Sequence, residues 1–168
     1  MDNKIIIRTA KREDSITAIN IYKKAIEAMN SNGIDQWDSL YPNEEILSND
    51  ISNNHMFFGE YNNEIVSVFV LNQNYDEEYI NGDWQYKEAP FFVVHRLCVN
   101  PSFQGRGIGM MTMKCIEDFL KDNGIEAVRL DAFSLNPAAL KLYEKLGYKK
   151  VGEVNWRKGL FYLYEKKI

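Results

Sequence analysis

Three glycines, Gly105, Gly107 and Gly109, fall within five residues of the stretch "HRLCVNPSFQGRGIGMM". They lie after an apolar run and before a helical pattern. Glycine loses more entropy on ordering than any other residue, so such a cluster marks close approach by a turn, a phosphate or a neighbouring segment. A Walker loop needs a Gly-Lys-Ser/Thr ending, whereas here the chain continues into Ile108, Gly109 and Met110. A dinucleotide fingerprint needs glycines at the first, third and sixth positions. Counted from Gly105, the sixth position is Met110, although Asp131 lies roughly where a ribose-binding acid would, about 20 residues on. The pattern Gln/Arg-x-x-Gly-x-Gly/Ala between a strand and a helix fits Gln104, Gly107 and Gly109. There the first helical turn offers unpaired N–H groups backed by the positive end of the helix dipole. Side chains would block a pyrophosphate, and glycine removes them.

A second group lies some thirty residues later in "NPAALKLYEKLGY". Asn136, Ala139 and Tyr143 stand at i, i+3 and i+7, on one face of a helix. Small Ala139 leaves room between the other two. By itself Tyr143 reads as a core tyrosine of an amphipathic helix. His95 is the group whose ordinary pKa suits proton transfer near neutrality, and it reads equally as a packed strand histidine. In a regular strand His95, Leu97 and Val99 share one face. Arg96 then points to the other, where Asp131 or Glu144 would pair with it. Cys98 reads as a small buried residue. Cys98 and Cys115, the two cysteines, have neither metal-ligand nor redox spacing, and no metal site is expected.

The elements that must position these residues follow from periodicity and punctuation. "KIIIRTA" is an opening strand. "REDSITAINIYKKAIEAMNSNG" is a helix capped by Asp14 or Ser15 and ended at Asn32-Gly33, with Ile19, Tyr22, Ile26 and Met29 on its apolar face. "DQWDSLYP" is a loop that leaves Trp37 exposed, and "NEEILSNDISN" a shorter helix. "HMFFGEYNNEIVSVFVLNQ" is a hairpin turning at Asn62-Asn63. "NYDEEYINGDWQYKEAP" is a long acidic loop with a turn at Asn81-Gly82, of a length that is often functional. "FFVVHRLCV" is a strand. "GRGIGMMTMKCIEDFLKDNG" is a helix with Ile108, Met111, Cys115, Phe119 and Leu120 on one face, ended by Gly124. "IEAVRLDAF" is a strand. The next helix has Asn136 as N-cap, Pro137 at its first position and Gly147 past its end. "KKVGEV" and "GLFYLYEKK" are the last strands. The order β-α-α-β-β-β-α-β-α-β-β contains one βαβ crossover, hence one parallel pair. The class is therefore α/β with a mixed, mostly antiparallel sheet and helices on both faces.

The chain of 168 residues fits a single domain spanning 1–168. A formal net charge of −4 argues against a general nucleic-acid binder while leaving room for a local basic pocket. The start "MDNKIIIRTAKRED" is no signal peptide, and no run is long enough to span a bilayer. A reduced, cytoplasmic setting without membrane association is the expectation.

The paired motifs "HRLCVNPSFQGRGIG" and "NPAALKLYEKLGY", in this order with the strand "AVRLDAF" between them, resemble the GCN5-related N-acetyltransferases. The opening "IRTAKREDSITAINIY" is similar to that family's usual start. The resemblance implies an acetyl-CoA-dependent transferase with the family's central sheet and its splayed parallel strand pair. It implies that the backbone of Leu97, Cys98 and Val99 bonds the pantetheine arm. Amides from Gln104 through Gly105, Arg106, Gly107, Ile108 and Gly109 to Met110 would hold the pyrophosphate. Asn136 sits where the family often has a cofactor-contacting Asn, with Ala139 beside it. Tyr143 sits where many members place a tyrosine near the coenzyme A sulfur, as acid for the leaving thiolate. Some arylalkylamine acetyltransferases have a histidine at the place of His95, which makes His95 the candidate base, with a water relay as the alternative. Others use a glutamate on that strand, which "FFVVHRLCV" lacks; Glu88 lies just before it. Arg106 and Lys141 are either phosphate contacts or solvated charges.

For the acceptor, the resemblance points to "GIDQWDSLYP", the acidic loop and "NWRKGLFY". Trp37, Tyr41, Trp84, Tyr86 and Trp156 are candidate apolar or cation-accepting walls. Asp76, Glu77, Glu78 and Asp83 would attract a cationic amine, or simply form a solvated face. Small amines and peptide N-termini both fit. A homodimer is expected by analogy alone. Two rival functions stand beside the transferase: a non-catalytic acyl-CoA-binding sensor or assembly domain, which would retain both motifs, and a nucleotide-binding module using the glycine-rich turn for NAD or ATP, against which the glycine spacing argues.

Overall fold

The computed structural model describes residues 4–168, so the first three residues of the stretch read for a leader lie outside it. The element order matches the expected one: β1 (Ile6–Thr9), α1 (Ser15–Ser31), α2 (Glu44–Ser52), β2 (Met56–Tyr61), β3 (Glu64–Asn72), β4 (Phe91–Val99), α3 (Ile108–Asp122), β5 (Ala127–Phe133), α4 (Pro137–Lys145), β6 (Lys149–Trp156) and β7 (Gly159–Lys167). The strands form one mixed sheet in the order β1-β2-β3-β4-β5-β7-β6. The parallel pair is β4–β5, in register from Phe91↔Ala127 to Val93↔Arg129. β1–β2, β2–β3, β5–β7 and β6–β7 are antiparallel. The chain divides into two compact units, Met1–Leu71 with Arg96–Ile116, and Asn72–His95 with Glu117–Ile168.

In the first unit, the β2–β3 hairpin turns through Asn62 and Asn63, at φ 51° and 62°. Asparagine tolerates that left-handed pair, which matches the twist of the flanking strands. The core gathers Tyr22, Ala18 and Ala25 of α1, Leu47 and Ile51 of α2, Met56 and Phe58 of β2, and Cys98 of β4. Ile19, Ile26 and Met29 pack against it. Asn43 caps α2 by accepting the Ile46 N–H at 2.9 Å. Trp37 is buried, against expectation, with its ring edge-on to Tyr22 at 5.7 Å. The capping of α1 also differs. A short 3-10 turn precedes the helix, and Asp14 turns back to accept the Lys11 N–H at 2.7 Å and pair with Arg8. Ser15 donates to the Arg12 carbonyl, so neither side chain caps the first turn.

In the second unit, the long acidic segment is anchored by its aromatics. Tyr79 and Trp84 are buried and stacked at 5.5 Å between centroids. The Trp84 indole donates to the Tyr79 carbonyl at 2.7 Å, and the Tyr79 hydroxyl donates to Asp131 at 2.7 Å. The buried guanidinium of Arg129 lies 4.4 Å from the Trp84 ring centroid and 3.8 Å from that of Phe91. Burial lowers its pKa, and Glu165 works against that shift. Glu165 in turn accepts the Gln85 N–H at 2.8 Å. Trp84 therefore receives a cation, but it is the protein's own. The carboxylates Asp76, Glu77, Glu78 and Asp83 stay exposed.

Helix α3 buries Ile108, Thr112, Met113, Ile116 and Leu120. Phe119, expected on its apolar face, is exposed. The 3.6-residue period sets it on the flank of the stripe, and packing leaves it outside.

Candidate active site

The glycine loop comes first along the chain within the first unit. β4 ends at Val99, and a 3-10 turn at Pro101–Phe103 leads into the loop, with Asn100 accepting the Ser102 N–H. Gly105 and Gly107 have φ of +76° and +73°, a region where L side chains are strained. A methyl group at either position would meet no atom of the chain within 4 Å, so it is backbone conformation, not crowding inside the protein, that requires glycine. The Met111 N–H closes the first turn of α3 on the Gly107 carbonyl at 3.1 Å. The amides of Ile108, Gly109 and Met110 ahead of it are those a helix leaves without intrahelical acceptors. An exposed, left-handed loop running into such a helix start fits an anionic diphosphate. The exposed Arg106 guanidinium rests 5.4 Å from the Phe103 ring centroid.

β4 departs from the expected regular strand. Arg96 has φ 48°, a left-handed conformation that costs a non-glycine residue of order ~1–3 kcal/mol. The strict alternation that would set His95, Leu97 and Val99 on one face fails there. Arg96 pairs with neither Asp131 nor Glu144. Its guanidinium makes a short ion pair with Asp50 of α2 and donates to the Tyr41 hydroxyl at 2.8 Å. Its carbonyl accepts from the buried Tyr22 hydroxyl of α1 at 2.8 Å. Burial raises the Asp50 pKa, with Arg96 opposing. The partners Asp50 and Arg96 are 46 residues apart, and no periodicity could have paired them. Cys98 is buried, and burial pushes its thiol up to about 12, which suits a core residue and not a nucleophile.

In the second unit, His95 Nε2 lies 2.8 Å from Asn72 Oδ1. The same oxygen accepts the Asn74 N–H at 3.0 Å, which identifies it as the amide carbonyl. Nε2 is therefore the protonated, donating nitrogen, and in the neutral ring the proton-accepting lone pair belongs to Nδ1. Asn72 had no signal in the sequence, because it is a strand-end asparagine 23 residues away. Asn136 caps α4 as expected, its side chain accepting the Ala139 N–H at 3.2 Å. Tyr143 is buried beside Tyr148 and Tyr164, with centroids 5.8 and 6.1 Å away. Burial is the main cause of its raised phenol pKa, with Asp131 and Tyr164 adding.

Residues 18–148 match the acetyltransferase (GNAT) family, and the chain belongs to that family. Among curated relatives, it is 24% identical over 160 residues to the uncharacterized N-acetyltransferase YesJ of Bacillus subtilis, covering 93% of this chain and 86% of that one. A GNAT-family acetyltransferase structure from Streptococcus agalactiae superposes with a TM-score of 0.85 at 22% identity, covering 98% of this chain and 95% of that one. The PaiA N-acetyltransferase of Thermoplasma acidophilum, solved in complex with coenzyme A, superposes with a TM-score of 0.68 at 20% identity, covering 98% and 99%. Among the described residues, no helix is long and apolar enough to cross a membrane.

Proposed function

We propose that this protein is an acetyl-CoA-dependent N-acetyltransferase that moves the acetyl group directly to a primary amine. The observation that carries the reading is the exposed loop at Gly105 and Gly107, left-handed at both glycines and running into the open amides of α3, in a chain of the GNAT family. Amides from Gln104 to Met110 hold the pyrophosphate. The backbone of Leu97, Cys98 and Val99 bonds the pantetheine, and Asn136 and Ala139 line the cofactor. The thioester supplies the activated acetyl group.

In the reaction the neutral amine attacks the carbonyl carbon, the C–S bond breaks, and the amine loses a proton. His95 is the candidate base and would act through Nδ1, since Nε2 donates to Asn72; a water relay is the alternative route. Tyr143 serves the leaving thiolate. An ordinary phenol, with a pKa of about 10, is protonated at neutral pH, and burial raises that value further. Full transfer to a thiolate of ordinary basicity, about 8.5, is uphill, so hydrogen-bond donation carries its contribution. The acceptor is a small amine or a peptide N-terminus.

The test is titration calorimetry with acetyl-CoA, then a thiol-release screen over amines and short peptides. Micromolar binding with release is the expected result. Absence of binding would overturn the assignment of the glycine loop. Binding without release from any acceptor would favour the acyl-CoA sensor.

A further inference from the structure

Three separate elements converge on one strand residue. Tyr22 of α1 donates to the Arg96 carbonyl, Asp50 of α2 pairs with its guanidinium, and Tyr41 of the intervening loop accepts from its other terminal nitrogen. The guanidinium and the carboxylate are both largely buried, with side-chain exposures of 10% and 15%. The Arg96 Nε is buried without a hydrogen-bond partner, so the side chain's hydrogen bonds run through its terminal nitrogens, and its guanidinium carbon lies 5.5 Å from the Tyr41 ring centroid. All this surrounds a backbone at φ 48°, where glycine would be the unstrained choice. Strain at a residue held from several sides is a mark of functional positioning. An ordinary ion pair between a helix and a strand needs no left-handed residue.

We propose that Arg96 is a positioning residue for acyl transfer: the Asp50–Tyr41–Tyr22 clamp holds β4 in its left-handed turn and so sets the direction of the peptide groups at Leu97, Cys98 and Val99. Those groups begin immediately after the turn, and the inference rests on the proposal that they bond the pantetheine and thioester. Rotation at residue 96 redirects the peptides of Leu97 to Val99, while Asn100, which donates through its N–H to the Val66 carbonyl at 2.8 Å and through its side chain to the Ile65 carbonyl at 2.9 Å, fixes the chain beyond them. A thioester displaced by about 1 Å from its productive geometry loses of order 100-fold in rate. The clamp therefore acts on turnover and leaves pyrophosphate binding by the Gln104–Met110 amides in place.

The experiment measures kcat, the acetyl-CoA Kd and thermal midpoint for wild type, Arg96→Ala, Arg96→Gly and Tyr41→Phe. Arg96→Ala should lose about 100-fold in kcat, with acetyl-CoA Kd changed by less than about threefold. Arg96→Gly should recover about tenfold of that loss, because glycine adopts the left-handed conformation without the clamp. Tyr41→Phe removes one hydroxyl from an exposed side chain and should fold normally, with kcat reduced about fivefold. Equal kcat for the glycine and alanine variants, or a fall in thermal midpoint with kcat unchanged, would overturn the positioning role while leaving the acetyltransferase standing. A wild-type protein that neither binds acetyl-CoA nor releases thiol would overturn both. If both Arg96 variants fail to fold, Tyr41→Phe decides alone: unchanged kcat overturns the proposal.

Discussion

At the scale of single residues, burial sets the chemistry each group offers. Tyr143 is enclosed beside Tyr148 and Tyr164, and its burial raises the pKa of a phenol that is already protonated, and so a hydrogen-bond donor, at neutral pH. Tyr143→Phe is expected to lower kcat about tenfold or more while acetyl-CoA affinity changes little; steady-state kinetics beside calorimetry would check it. Equal losses in both would mean that the ring is packing and its hydroxyl is idle. His95 presents Nδ1 as its basic nitrogen because Asn72 is itself oriented by the Asn74 amide. In the proposed base role, His95→Ala should flatten the acid limb of the pH–rate profile. An acid limb that survives the substitution assigns the deprotonation to water.

At the scale of elements, the decisive junction is the entry to α3. Gly105 and Gly107 need their left-handed backbone, while Gly109 lies inside the helix. Gly109→Glu is thus the cleaner probe, since it adds bulk and negative charge at the proposed pyrophosphate amides without demanding positive φ. It is expected to abolish measurable acetyl-CoA binding in calorimetry, with the thermal midpoint within a few degrees of wild type. Retained affinity would remove the phosphate role from this loop. The junction at β4 behaves differently: a non-glycine residue takes the left-handed turn, and side chains from α1, α2 and their connecting loop hold it there.

At the scale of the whole molecule, buried phenols set a limit on alkaline stability. Burial raises the pKa of Tyr22, Tyr143 and Tyr148. Below about 10, the ordinary phenol value, these groups are protonated in both folded and unfolded chains, and their contribution to stability is complete. Above it the unfolded chain ionises them while the folded one does not, and stability falls by up to about 1.4 kcal/mol per pH unit for each phenol. Urea midpoints should fall gently above about pH 8.5, where only the unfolded chain ionises the buried Cys98 thiol, and more steeply beyond about pH 10, with the tyrosinate absorbance of these three phenols rising only on unfolding. A midpoint that stays level to pH 11 would contradict the burial of these hydroxyls.

Local signals carried much of the architecture. The Asn62-Asn63 turn, the Asn136 cap and the strand "FFVVHRLCV" act within a few residues of themselves, and each formed where its spacing implied. The glycine loop and the α4 face are likewise contiguous stretches, legible in the chain's own spacing. Nothing contiguous encodes the burial of Trp37, the enclosure of Arg129 by Trp84 and Phe91, or the Asn72 partner of His95. The same holds for the turn at Arg96, where alternation along the strand implied one face for His95, Leu97 and Val99. The sequence by itself determined the order of elements and the diphosphate-suited loop, because capping, periodicity and glycine conformation are local properties. Tertiary structure alone decided where β4 turns and which groups hold it, because residues distant in sequence meet there and their burial fixes both conformation and charge.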